Sequence, residues 1–213
     1  MKGVTIGGLH SFRDLKLIML EGKEIGSPEV KENRVEIEGA DGDLDLTEFF
    51  GEPKYKNVMH KFPFSYAGPI GDFISHVSAI KNAIHGKKLR IILDDDPAFF
   101  YRGRIHVLPA STVRNIGYVT VEAICEPYKY KISPTVVTQA VTGSAVITLT
   151  NSRKRAVPSI TTTAPMTFSV GGGSWTVNAG SFSIPELELV EGDNIITVTG
   201  TGNVTFTWEE GSL

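Results

Sequence analysis

A mainly β fold with one helix, divided into two domains, is what three features of the sequence predict. Along most of the chain apolar residues alternate with polar ones in short runs, the two-residue period of strands that have one covered face. A single segment, Asp72 to Gly86, carries the three-and-four spacing of an amphipathic helix. At Pro134 the texture changes. Residues 1–133 hold 18 Lys and Arg against 18 Asp and Glu, whereas residues 134–213 hold three against six. The expected architecture is an N-terminal β-barrel or sandwich-like domain, 1–133, with one α-helix and a projecting β-hairpin arm at about 33–64. A C-terminal jelly-roll β-sandwich, 134–213, follows it.

In order along the chain, Val4 to Ile6 and Leu15 to Leu20 read as short strands around a loop holding His10 to Asp14, and Gly26-Ser-Pro28 turns the chain into the arm. The arm opens with Val35 and Ile37 on one face against Arg34, Glu36 and Glu38 on the other. It closes with Val58, His60, Phe62 and Phe64 on one face against Asn57, Met59, Lys61 and Pro63, where the proline suggests an edge strand. Between them lie the turn Gly39 to Asp43, the run Leu44 to Phe50 and a break at Gly51 to Pro53. So long a two-stranded arm buries little by itself and needs another surface to lie on.

Asp72 suits a helix N-cap, Phe73, Val77, Ile80 and Ile84 form the covered face, and Gly86 supplies the stop. Leu89 to Leu108 reads as a hairpin turning at Asp94 to Pro97, and Gly117 to Cys125 as a last strand before a connector bounded by Pro127 and Pro134. Beyond it, Val136–Val141, Ala145–Thr150, Ser159–Thr163, Met166–Val170, Ser174–Asn178, Ser181–Ile184, Asn194–Thr199 and Asn203–Trp208 read as eight short strands.

Composition narrows the function. A net charge of −3 is too weakly acidic to suggest a nucleic-acid partner, and no apolar run reaches the ~20 residues of a membrane span. The start, MKGVTIGGLHSF, lacks the apolar stretch of a signal peptide, which predicts a protein made and kept in the cytoplasm unless carried out within an assembly. The single cysteine, Cys125, excludes an intramolecular disulfide and falls on the inward side of its strand, where it reads as an inert buried thiol.

No enzyme motif emerges. The five histidines, His10, His60, His76, His85 and His106, lie in separate elements without zinc-binding spacing, and no nucleophile elbow or phosphate loop occurs. Gly171 to Gly173 precedes a strand and reads as a hairpin turn. Asp94 to Asp96 and the set Asp41, Asp43 and Asp45 are the dense acidic tracts, and both read as turns rather than metal sites or paired catalytic carboxylates. Neither a catalytic residue nor a cofactor is therefore expected. Two features keep a binding role open: Trp175 and Trp208, an aromatic platform for sugars in some sandwiches but more often the large core residues that a thin sandwich needs, and the basic cluster Arg153 to Arg155, read as a solvated turn.

Taken together, HSFRDLKLIML, EVKENRVEIEGADGDLDLTEFFGEPKYKN, IKNAIHGKKLRIILDDDPAFFYRGRI and EAICEPYKYK resemble the distal tail protein family, Dit, of siphophages and related prophages of Gram-positive bacteria. The remainder, NSRKRAVPSITTTAPMTFSVGGGSWTV and IPELELVEGDNIITVTGTGNVTFTWEEG, resembles the small C-terminal domain of many members, so the resemblance covers nearly the whole chain. It implies a galectin-like second domain and a structural role in the virion, without catalysis. It also implies a ring of six N-terminal domains with arms embracing neighbours, DNA passing through the ring. The partners implied are the major tail or tube protein on one side and the tail-associated fibre or lysin protein on the other, at the phage tail tip. The residues expected in self-association are Val35, Glu36, Ile37, Glu38, Val58, His60 and Phe62. The alternative function is a carbohydrate-binding adhesion module for the host cell wall, using Trp175 or Trp208.

Overall fold

The structure is a computed structural model that describes residues 2–49 and 51–213. The chain divides into two compact units, one reaching to Lys129 and including Leu213, the other running from Tyr130 to Ser212. The division falls inside a strand rather than at a loop. The expected connector after Cys125 is the continuation of the strand Ile116–Lys131, and Pro127 is accommodated because it lies beyond Cys125, the last residue paired to the neighbouring strand Val58–Tyr66.

The first unit contains β1 (Val4–Ile6), β2 (Leu9–His10), β3 (Leu17–Met19), β4 (Glu24–Ile25), β5 (Arg34–Glu36), β6 (Asp43–Asp45), β7 (Val58–Tyr66), helix α1 (Phe73–Ile84), β8 (Lys88–Leu93), β9 (Asp96–Val107), β10 (Ser111–Val113) and β11 (Ile116–Lys131). Its main sheet is ordered β2-β1-β8-β9-β11-β7-β3, with β4 also on β7 and β10 on β11. The inward residues of β7, β8, β9 and β11 pack with α1 around Phe62, Phe64, Phe73, Ile91, Ile105, Val119 and Val121. Phe73, Val77, Ile80 and Ile84 are the buried residues of α1, as the spacing predicts. Gly117 lets the helix approach the sheet closely, since a Cβ there would stand 2.6 Å from the Phe73 ring.

Two local expectations are corrected. Asp72 does not cap α1 with its side chain: it ends a short 3-10 turn, Ile70–Asp72, and the first helical turn is tied instead by Ser75 Oγ donating to the Asp72 carbonyl. Pro63 does not mark an edge, because β7 lies between β11 on one side and β3 and β4 on the other. The Pro63 carbonyl accepts from Leu20 N–H, so the side where an N–H would point faces the gap between β3 and β4. The ladder from β7 to β11 runs unbroken past it.

The second unit contains β12 (Thr135–Asn151), β13 (Ser159–Thr162), β14 (Met166–Val170), β15 (Gly173–Val177), β16 (Gly180–Ser183) and β17 (Gly192–Trp208), ordered β15-β14-β17-β13-β16 with β12 also paired to β17. Four of the expected short strands are two long ones. β12 and β17 pair without interruption from Thr135 opposite Trp208 to Asn151 opposite Gly192. The glycines that read as breakers are bends inside this ribbon. Gly143 pairs directly with Gly200, and both take positive φ, 80° and 149°, which lets the ladder curl where side chains would resist. The curled sheet encloses one core, with Phe168 meeting Phe182 and Phe206 edge-on at 5.9 and 6.1 Å.

A buried carboxylate closes this unit. Glu210 accepts from Lys131 Nζ at 2.7 Å, from Ser152 Oγ at 2.5 Å and from the Thr135 hydroxyl, joining the end of β11, the start of β12 and the loop after it. Burial works against its charge, but the three donors outweigh that and hold the carboxyl below its ordinary range.

Candidate functional site

Between β4 and β7 the chain leaves the sheet as an arm. At its root Val30 bridges Tyr55, with Lys31 N–H donating to Lys54 O and Lys56 N–H to Glu29 O. At its far end β5 and β6 form a hairpin in which Arg34 faces Asp45, Val35 faces Leu44 and Glu36 faces Asp43. Asn33 N–H donates to Thr47 Oγ1 and Thr47 N–H to Asp45 Oδ1, a local turn whose bonds to Asp45 hold that exposed carboxyl below its usual range. None of the described residues from 21 to 57 is buried. The segment is tied to the body at its root, where β4 pairs with β7 and Tyr55 stands edge-on to Tyr128 at 6.0 Å, and beyond the root it has no fully buried side chain among the described residues.

The two faces of the hairpin differ. Val35 and Leu44, at 43% and 47% exposure, make an apolar cross-strand pair, with Ile37 and the still more exposed Phe49 nearby in sequence. The opposite face pairs Glu36 with Asp43, like charges in direct apposition, which weakens an isolated hairpin.

The remaining expected arm residues lie elsewhere. Val58, His60 and Phe62 are on β7, within the sheet, and their side chains are buried in the core of the first unit. The arm is thus shorter than the alternating sequence implies, because the second half of that alternation is an interior strand. His60 accepts from Gly26 N–H through Nδ1, stands edge-on to Tyr101 at 4.4 Å, and its buried Nε2 finds no partner among the described residues. Burial pushes its pKa down to about 4. Leu44, missed in the sequence as the partner of Val35, was readable in principle as the apolar residue of the alternating DLD that follows the turn region.

The acidic turn at Asp94 to Asp96 sends its carboxylates to three different places. Asp94 accepts from Gly3 N–H at 2.7 Å and contacts His10 Nε2 at 3.0 Å, Asp95 meets Lys23 and Asp96 meets Lys129. The bond to His10 and that to Lys23 hold Asp94 and Asp95 below the usual carboxylate range. These are ties between loops and strands. Among the described residues no group of three His, Cys, Asp or Glu could hold a metal ion, and no helix is long and apolar enough to cross a membrane. Cys125 is buried, and burial pushes its thiol up to about 12.

Of the two tryptophans, Trp208 is 3% exposed and donates its indole N–H to Asn151 Oδ1 at 3.1 Å, so it belongs to the core. Trp175 is half-buried and packs with that core; a Cβ on Gly173 would stand 2.3 Å from its ring. Arg153 and Arg155 pair with Glu191 and Glu188 across their own surface.

No family model matches this chain, and no curated protein sequence does. Among solved structures it is similar to the Dit protein of phage SPP1, whose crystal structure is described as a paradigm of the hub adsorption apparatus in phages that infect Gram-positive bacteria. The two superpose with a TM-score of 0.68 over 100% of each chain at 17% identity. The mainly β fold with one helix and an arm is therefore a Dit fold from end to end.

Proposed function

We propose that this chain is a structural component of a phage tail tip, a hub that assembles with copies of itself into a closed ring of six. In this reading the ring joins the tail tube to the tail-associated fibre or lysin protein, and the protein resides in the virion rather than acting as an enzyme. The observation that carries the proposal is the arm: it projects an apolar face and an acidic face, and none of its described residues is buried, which supports a second molecule as the surface that covers it. The end-to-end likeness in fold to the SPP1 hub protein adds support. A contact in which one copy's arm lies on the next copy's body is heterologous and closes into a ring when the rotation per copy divides a full turn.

The test is the mass of the purified protein by light scattering over a range of concentration, alongside a variant in which residues 31–54 are replaced by Asn-Gly between Val30 and Tyr55. The expected result is a sixfold closed species for the parent and a monomer for the variant. A parent that stays monomeric throughout, or an oligomer that survives loss of the arm, overturns the proposal.

A further inference from the structure

The arm and the body of the first domain carry opposite charge to an unusual degree. Residues 32–48 hold seven carboxylates and one cation, Arg34, while the rest of residues 1–133 holds 17 cations and 11 carboxylates. A domain that is neutral as a whole is thus divided into an acidic projection and a basic body. The basic excess has a focus. On the solvent side of the main sheet Lys88 faces Arg104 and Arg90 faces Arg102 across β8 and β9, two successive pairs of like charge. Like charges in direct apposition destabilise a ladder. Within the chain these cations have partners: Glu126 lies 2.6 Å from Lys88 and 3.7 Å from Arg102, Arg90 and Arg102 stand over the Phe100 ring at 4.4 and 5.5 Å, and Arg104 donates to the Gly86 carbonyl, yet the patch stays cationic. Lys88, Arg102, Arg104, Glu126, Asn57 and Ile124 line a cleft of about 300 Å³ there. Ile124 and its cross-strand partner Met59 are about half exposed, at 46% and 53%.

We propose that this cleft and its ladder of cations are the landing site for the acidic face of the arm of a second copy, with Glu36 and Asp43 set against Lys88, Arg90, Arg102 and Arg104. The proposal rests on the assembly reading above and specifies which surface of the neighbour receives the arm. The two surfaces are opposite in sign, so the contact sets the paired carboxylates of one copy against a cationic patch of the next. The apolar floor of Ile124 and Met59 excludes water beside the charges and strengthens their attraction over that of the same pairs in bulk solvent.

Two reversals test this: Glu36→Lys with Asp43→Lys on the arm, and Lys88→Glu with Arg104→Glu on the sheet. All four residues are exposed. With mass read by light scattering and folding by far-ultraviolet circular dichroism, each reversal alone is expected to yield folded monomers, and the chain carrying all four substitutions to recover the parent mass. Raising salt from about 0.05 to about 0.5 M should dissociate the parent, because the attraction is screened. The arm reversal touches no buried residue, so it remains decisive even if the sheet reversal misfolds. An oligomer unchanged by either folded reversal overturns this landing site while leaving the assembly reading intact. A parent that is monomeric at every concentration overturns both.

Discussion

Excising the arm should leave the first domain as stable as before, or slightly more so. Replacing the 24 residues 31–54 by Asn-Gly joins Val30 to Tyr55, which already bridge one another, through a two-residue turn suited to an antiparallel pair. No described residue in the excised segment is buried, so no core contact is lost. Closing a loop of two residues rather than 24 lowers the closure entropy by (3/2)RT ln 12, about 2 kcal/mol, as an upper bound for a flexible loop. The expected change therefore lies between zero and about 2 kcal/mol of added stability. Both tryptophans belong to the second unit, so their fluorescence follows that unit alone, and the first must be followed by calorimetry or circular dichroism. The parent should melt at a temperature that rises with protein concentration, through assembly, and the excised chain at one that does not. A loss exceeding about 2 kcal/mol in the first unit, at concentrations where both chains are monomeric, would refute the independence of arm and body and show that the arm helps hold its own domain.

Two further outcomes follow from buried polar groups. His60 has its pKa depressed from 6.5 to about 4 by burial, so the unfolded chain binds its proton more readily. The His60 contribution should be flat above pH 6.5 and fall by about 3 kcal/mol as pH drops from 6.5 to 4; urea titrations at both ends of that window should show a fall in the parent larger by about that amount than in His60→Gln, where only the carboxylates with lowered pKa contribute. Glu210→Ala removes the acceptor shared by Lys131, Ser152 and Thr135 and should cost the second unit about 2 kcal/mol, Lys131 recovering part of its solvation because it is 42% exposed. An unaltered tryptophan-fluorescence transition in that variant would show that the three-way tie is not structural.

What the sequence disclosed and what it hid divide along a physical line. The helix was legible residue by residue because Phe73, Val77, Ile80 and Ile84 bury one face against a sheet, and that periodicity is local. Strand character was legible for the same reason. Strand pairing was not: Val58, His60 and Phe62 alternate as arm strands would, and their place between β11 and β3 depends on partners near residues 18 and 121 that no local pattern specifies. Glycines misled in the second unit, since a glycine that ends a strand and one that bends a continuous ladder look alike until Gly143 is seen opposite Gly200. Trp208 shows the same limit from the other side. Its alternation with Phe206 and Val204 placed it on one face, but whether that face was core or platform was decided by the hydrogen bond to Asn151, 57 residues away.

The candidate site was half legible, and the half that was hidden explains why the arm is acidic. From sequence alone, seven carboxylates within residues 32–48 read as turns and solvated faces, the ordinary meaning of such a run. Structure adds that Glu36 and Asp43 are brought into apposition on a ribbon with no buried residue among those described, and that the hairpin of β8 and β9 brings four cations into one ladder. The carboxylate pair adds nothing to the stability of the chain that carries it, whereas the cations are held by Glu126, the Phe100 ring and the Gly86 carbonyl. Charge patterns that are unfavourable within a molecule and complementary between molecules are the signature of a contact made in an assembly, where they also select register and suppress wrong pairings. In the proposed assembly, a domain with its charges so separated would disfavour docking arm to arm or body to body and favour arm to body, the heterologous contact a ring requires.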